Sequence, residues 1–222
     1  MPIRVLIADD DPDVRGLYRG FFEAHPDFEL AAEAADGEAA VAAFTAHRPD
    51  VTLMDLEMPL RDGVWATQGI CAADPSACVV VLTSFATRDY IVAALRAGAA
   101  GYLVKAAGGG AIAAGIRQAL DGDMPLSSSV RRQLVATLTP SPAPPTARVA
   151  LTPRETELVT WLAHGMTNQQ IATRMHLSQG SVKQYVARVS GKLGVVSRTQ
   201  VLVRVIQLGI VDPADLPAVG SG

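Results

Sequence analysis

The first 123 residues alternate between short apolar runs and longer stretches with apolar residues at helical spacing. Val5-Leu6-Ile7-Ala8 ends on Asp9-Asp10, Val51-Thr52-Leu53-Met54 on Asp55, Val79-Val80-Val81-Leu82 on Thr83, and Tyr102-Leu103-Val104 on Lys105. Runs of this length between helical stretches predict buried strands of a parallel sheet. Strands are expected at about Arg4–Ala8, Glu29–Ala34, Val51–Met54, Val79–Leu82 and Gly101–Val104. Leu17, Phe21 and Phe22 mark a helix after the first strand, Val41 and Phe44 one after the second, and Ile91 and Leu95 one after the fourth. Ile112, Ile116 and Leu120 mark the last, and a weaker pattern over Val64–Ala72 marks the third. Pro12 suits a first helical turn and Gly98 a C-terminal cap. Right-handed crossovers then give an α/β, doubly wound, five-stranded parallel sheet.

From Leu151 the pattern is helical throughout. Thr152-Pro153-Arg154-Glu155, Thr167-Asn168-Gln169-Gln170 and Ser197-Arg198-Thr199-Gln200 read as capping boxes, and Ser178 as the cap of a further helix. Four short helices with tight turns predict a small all-α helix-turn-helix domain over residues 151–212. Residues 1–123 form the first domain. Residues 124–150 form a linker, with a short helix over Ser129–Leu138 and a proline-rich stretch over 139–150, and residues 213–222 form a tail.

Charge separates the same two halves. Residues 1–123 hold 9 Lys and Arg against 18 Asp and Glu, whereas residues 124–222 hold 10 against 4. A basic second half points to an anionic partner, nucleic acid being the usual one. No run of about 18 apolar residues is present to cross a membrane. Cys71 and Cys78 are too few for a disulfide framework and lack zinc spacing. A cytoplasmic protein that does not engage membranes is the expectation.

In a parallel sheet the carboxyl ends of the strands share one edge, where ligands bind. Asp9, Asp10, Asp55, Thr83 and Lys105 would converge there. Crowded carboxylates repel one another unless a cation sits among them, and Mg²⁺ takes oxygen ligands while keeping several waters. Asp55 can act as a nucleophile toward phosphorus, with Lys105 neutralising the phosphoryl oxygens.

These residues carry a resemblance. Leu6-Ile7-Ala8-Asp9-Asp10, Met54-Asp55-Leu56-Glu57-Met58-Pro59 with Asp62-Gly63, Leu82-Thr83-Ser84 and Gly101-Tyr102-Leu103-Val104-Lys105 resemble the receiver domain of two-component response regulators, a flavodoxin-like fold. The resemblance implies that Asp55 accepts phosphate from a sensor histidine kinase. It implies that Asp10, Asp55 and the Glu57 backbone carbonyl bind Mg²⁺ directly, with Asp9 acting through water. Thr83 and Tyr102 would form the switch pair, and Lys105 would be the phosphate partner. Gly108-Gly109-Gly110 weakens the start of the last receiver helix.

In the basic half, Val182, Val186, Val189 and Leu193 face the core of one helix, leaving Lys183, Gln184, Ala187, Arg188 and Lys192 outward. Cations and an amide on an exposed helix face suit phosphates and base edges of double-stranded DNA. Leu151-Thr152-Pro153-Arg154-Glu155, Thr167-Asn168-Gln169-Gln170-Ile171-Ala172, Ser181-Val182-Lys183 and Lys192-Leu193-Gly194-Val195 resemble the LuxR-type helix-turn-helix, and the pair of domains resembles the NarL/FixJ class. The implied protein is a regulator rather than an enzyme, phosphorylated on Asp55 and binding DNA as a homodimer when phosphorylated. Ser190-Gly191 departs from that family pattern and weakens the end of the recognition helix.

Three alternatives bear on this reading. An aspartyl-phosphate hydrolase needs a second Asp where this chain has Glu57. A dinucleotide-binding domain needs a glycine-rich turn where Asp9-Asp10-Asp11 stands. A regulator driven by a ligand or protein partner keeps both domains, and only the intact acidic set argues against it.

Overall fold

A computed structural model describes residues 1–84, 88–126, 130 and 149–211. The first domain places β1 (Ile3–Ala8), β2 (Phe28–Ala34), β3 (Val51–Met54), β4 (Val79–Thr83) and β5 (Gly101–Val104) in one sheet. The order is β2-β1-β3-β4-β5, all parallel. α1 (Pro12–Glu23), α2 (Gly37–His47), α3 (Gly63–Ala73), α4 (Arg88–Ala97) and α5 (Gly109–Leu120) cover its faces. The order reverses between β1 and β3, which opens a crevice at the carboxyl ends of those strands.

Every residue of β3 and β4 is buried, as expected of central parallel strands. Two helical markers fall elsewhere than expected. Leu17 is 68% exposed, because Tyr18 and Phe22 set the buried face of α1. Leu120 is 38% exposed, while Ile112, Ile116 and Ala119 are buried. At about 100° per residue, a position seven beyond Ile112 returns to within about 20° of it, whereas one eight beyond lies about 80° away.

Gly109 earns its place by packing, since a Cβ there would overlap the Phe21 ring. Gly108 takes φ +78 after the 3-10 turn Lys105–Ala107, and α5 forms directly behind it. The chain just past residue 123 stays with the sheet. Tyr102 N–H donates to the Pro125 carbonyl at 2.8 Å, and Leu126 bridges to Tyr102. Apart from Val130, the expected helix over Ser129–Leu138 lies outside the described residues, as do residues 139–148 of the linker and the 213–222 tail.

The second domain comprises α6 (Pro153–Ala163), α7 (Asn168–Met175), α8 (Gln179–Leu193) and α9 (Arg198–Gln207). All three capping boxes form, with both reciprocal hydrogen bonds present in each. Ser178 caps α8 by accepting from the Ser181 N–H at 3.1 Å. α8 runs unbroken through Ser190-Gly191 to a left-handed cap at Gly194. Gly191 faces open space, while Val189, Ser190 and Leu193 around it are buried, so their packing holds the helix where local propensity is weak.

Candidate functional site

The parallel register pairs Ala8 with Met54, so the residues that follow, Asp9 and Asp55, leave the sheet side by side. Backbone bonds fix them there, from Asp9 N–H to the Ala34 carbonyl (3.0 Å) and from Asp55 N–H to the Ala8 carbonyl (2.8 Å). Asp9 and Asp55 are buried and Asp10 is exposed. Carboxylate oxygens of all three lie within 4.8 Å of one another. Gly63 is required behind them. Its N–H donates to the Leu56 carbonyl at 3.0 Å, and a Cβ there would overlap the Asp55 carbonyl oxygen.

Lys105 begins the turn after β5 and reaches into this cluster. Its Nζ lies 2.6 Å from Asp9 Oδ2 and 2.8 Å from Asp55 Oδ2. The other Asp55 oxygen, Oδ1, accepts from the Leu56 N–H at 2.7 Å. Burial holds the Asp9 carboxyl above its ordinary value, with Lys105 and the Asp11 N–H opposing. Burial also works to depress the Lys105 ammonium, but hydrogen bonds and charge from Asp55 and Asp9 outweigh it and leave it raised. Three converging carboxylates with one ammonium among them fit a small oxygen-seeking cation well. Asp9 and Asp55, both buried, are carboxylates for which such counter-charge offsets the cost of burial.

Thr83 ends β4 and is buried beside this edge. Tyr102 is fully buried, and its hydroxyl has no hydrogen-bond partner among the described residues. Burial, then the Asp55 and Glu57 charges, push its phenol well above the ordinary value. Glu57 stands exposed two residues beyond Asp55.

The second domain brings Lys183, Gln184, Ala187 and Arg188 together on the exposed face of α8, while Val182, Val189 and Leu193 are buried beneath. Lys192, also exposed, lies near the end of α8, where its Nζ is 2.6 Å from Glu155 Oε2, a carboxylate only 1% exposed, and so ties α8 to the start of α6. Two aromatic supports escaped the sequence reading. The Arg188 guanidinium sits 5.0 Å over the Tyr185 ring, and that of Arg174 4.8 Å over Trp161. The i, i+3 spacing of Tyr185 and Arg188 was the available signal, whereas Arg174 and Trp161 sit on different helices and gave none.

Comparison with known proteins agrees with this geometry. Residues 5–117 match the family described as "Response regulator receiver domain", and residues 149–205 match "Bacterial regulatory proteins, luxR family". The chain is 37% identical over 201 residues to the transcriptional regulatory protein LiaR of Bacillus subtilis, covering 90% of this chain and 95% of LiaR. It is 32% identical to the DNA-binding transcriptional activator DevR/DosR of Mycobacterium tuberculosis, covering 93% and 95%. Among solved structures, the response regulator ChrA of a heme-sensing two-component system aligns over 95% of this chain and 99% of its own, with 31% identity and a TM-score of 0.52. The chain therefore belongs to the response regulators of two-component systems, transcription regulators in which a receiver domain is joined to a LuxR-type DNA-binding domain.

Proposed function

We propose that Asp55 is the phosphoryl acceptor of this receiver, taking its group from a phosphohistidine on a sensor kinase. The observation that carries the reading is the convergence of Asp9, Asp10 and Asp55 within 4.8 Å, with the Lys105 ammonium bound to two of them. An Asp55 oxygen attacks phosphorus, the new P–O bond forms as the P–N bond breaks, and the electron pair leaves with the donor imidazole. Lys105, now on Asp9 and Asp55, is within reach of the arriving phosphoryl oxygens and neutralises them. Asp10, Asp55 and the Glu57 carbonyl would hold Mg²⁺, with Asp9 through water. Mg²⁺ supplies positive charge that offsets repulsion between carboxylate and phosphoryl group. The Thr83 hydroxyl donates to the phosphoryl group, and Tyr102, whose own hydroxyl has no partner among the described residues, moves with it.

The output is sequence-specific binding of double-stranded DNA. Lys183 and Gln184 reach base edges or phosphates, Arg188 a phosphate, and Ala187 makes apolar contact in the major groove. A domain this small binds weakly alone, so a homodimer on two half-sites about one helical turn apart gives useful affinity. An acyl-phosphate donor with Mg²⁺ should add one phosphoryl group to the chain, read by intact mass. Equal labelling of wild type and Asp55→Asn would move the acceptor elsewhere.

A further inference from the structure

Asp10 is the loosest member of the acidic cluster. Asp9 is held on several sides: its N–H donates to the Ala34 carbonyl at 3.0 Å, its Oδ1 accepts from the Asp11 N–H at 3.1 Å, and its Oδ2 lies 2.6 Å from Lys105 Nζ. Asp55 is held by the Ala8 carbonyl, the Leu56 N–H and Lys105. The Asp10 side chain is exposed and has no hydrogen bond or ion pair among the described residues. One of its oxygens nevertheless lies within 4.8 Å of those of Asp9 and Asp55. Its direction is therefore set by its backbone.

Arg15 grips that backbone. Its Nη1 donates to the Asp9 carbonyl at 2.6 Å, and this carbonyl belongs to the peptide that joins Asp9 to Asp10. The reach follows from the helix. Asp11 caps α1, Pro12 opens it, and the Arg15 N–H donates to the Asp11 carbonyl at 3.1 Å. Helical side chains lean toward the N-terminus, so one placed this early in α1 leans back over the loop before it.

Two features set Arg15 apart from ordinary charge compensation. A cation close to a helix N-terminus opposes the helix dipole, so the position is not one that helix electrostatics favours. Asp9, Asp10, Asp11 and Asp13 all lie within six residues, yet the half-buried guanidinium pairs with none of their carboxylates among the described residues and takes a carbonyl instead. The Asp10 carboxylate stays free.

We propose that Arg15 is a positioning residue for the cation site: its guanidinium clamps the Asp9–Asp10 peptide and so presets the Asp10 carboxylate beside Asp9 and Asp55. The inference rests on the reading of Asp10 as a Mg²⁺ ligand. Losing a partner that orients a ligand lowers metal affinity about 10–100-fold, and a partner acting through the peptide belongs at the lower end. Charge alone predicts the opposite sign. A positive group near the site repels Mg²⁺, so its removal would tighten binding.

The test uses the full chain as wild type, Arg15→Met and Asp10→Asn. Titration with Mg²⁺ gives the Kd, and hydrogen exchange without metal reads the Asp11 N–H, which the clamped loop holds on Asp9. In Arg15→Met the Kd should rise about tenfold and Asp11 should exchange faster, while amides in the middle of α1 keep their wild-type rates. Because Arg15 acts through Asp10, Arg15→Met should add little to the loss in an Asp10→Asn chain. A folded Arg15→Met that binds Mg²⁺ as tightly as wild type, or more tightly, overturns the clamp, as does a full further loss in the double variant. If Arg15→Met fails to fold, Arg15→Gln, neutral and too short to reach the carbonyl, decides by the same readings. An Asp10→Asn chain with wild-type affinity removes Asp10 from the cation site and the clamp's purpose with it. Weakened binding in Asp10→Asn but not in Arg15→Met overturns the clamp alone.

Discussion

Lys192→Met separates a fold contact from a DNA contact. Glu155 is 1% exposed, and its Oε2 accepts from the Thr152 N–H at 2.7 Å and from Lys192 at 2.6 Å. Removing one partner of a buried ion pair costs about 3–5 kcal/mol. The Lys192 side chain is 35% exposed, so water reaches the vacated place, and the Thr152 bond survives. The loss is then closer to that of one hydrogen bond to a charged group, about 2 kcal/mol. Its pH dependence has a definite sign. Burial works to raise the Glu155 carboxyl, but Lys192 and Thr152 outweigh it and hold it below the ordinary 4.5. The contribution is present above that value and disappears as pH falls through the lowered one. Urea unfolding should therefore show the deficit of about 2 kcal/mol at pH 7 and a shrinking one as pH falls below the ordinary 4.5 and through the lowered value. Under conditions where the variant stays folded, the dependence of DNA affinity on salt should match wild type. Removing a true phosphate contact lowers that logarithmic slope by about 0.9. Unchanged stability with a slope reduced by that amount would show that Lys192 grips DNA and that its bond to Glu155 contributes little.

Two further outcomes are expected. Leu60 is 80% exposed at φ 63, a left-handed backbone that costs a non-glycine residue about 1–2 kcal/mol. Glycine's extra freedom in the unfolded chain gives back about 0.5–1 kcal/mol, so Leu60→Gly should stabilise the receiver by about 0.5–1 kcal/mol in urea unfolding, and Leu60→Ala should not. Mg²⁺ at tenfold above its Kd should stabilise the wild-type chain by about 1.4 kcal/mol; the same gain in Asp10→Asn would remove Asp10 from the cation site.

Much of the acidic site was legible because each of its residues directly follows a buried strand. Asp9, Asp55 and Lys105 end runs whose apolar character announces a parallel sheet, and such a sheet brings strand ends to one edge. The capping boxes at Thr152, Thr167 and Ser197 were equally readable, since each is a contact between residues three apart. The Lys192–Glu155 bond was not legible, because the pattern of α8 shows which way a side chain leaves its helix, and not that Glu155, thirty-seven residues earlier, waits beside it. Leu17 and Leu120 lie well round from the buried faces of α1 and α5, so helical spacing placed them in the right helices without fixing which face the sheet covers.

The order of elements, the acidic residues at the sheet edge and the exposed basic face of α8 were all carried by short-range pattern, because strand, helix and cap are written in residues within a few positions of one another. Tertiary structure alone decided that Thr199 meets Ala99, one hundred residues away, that Asn168 meets Asp123, and that α9 is covered while α8 is open. Each of these depends on which apolar surfaces find one another across the whole chain, and no local spacing encodes that choice.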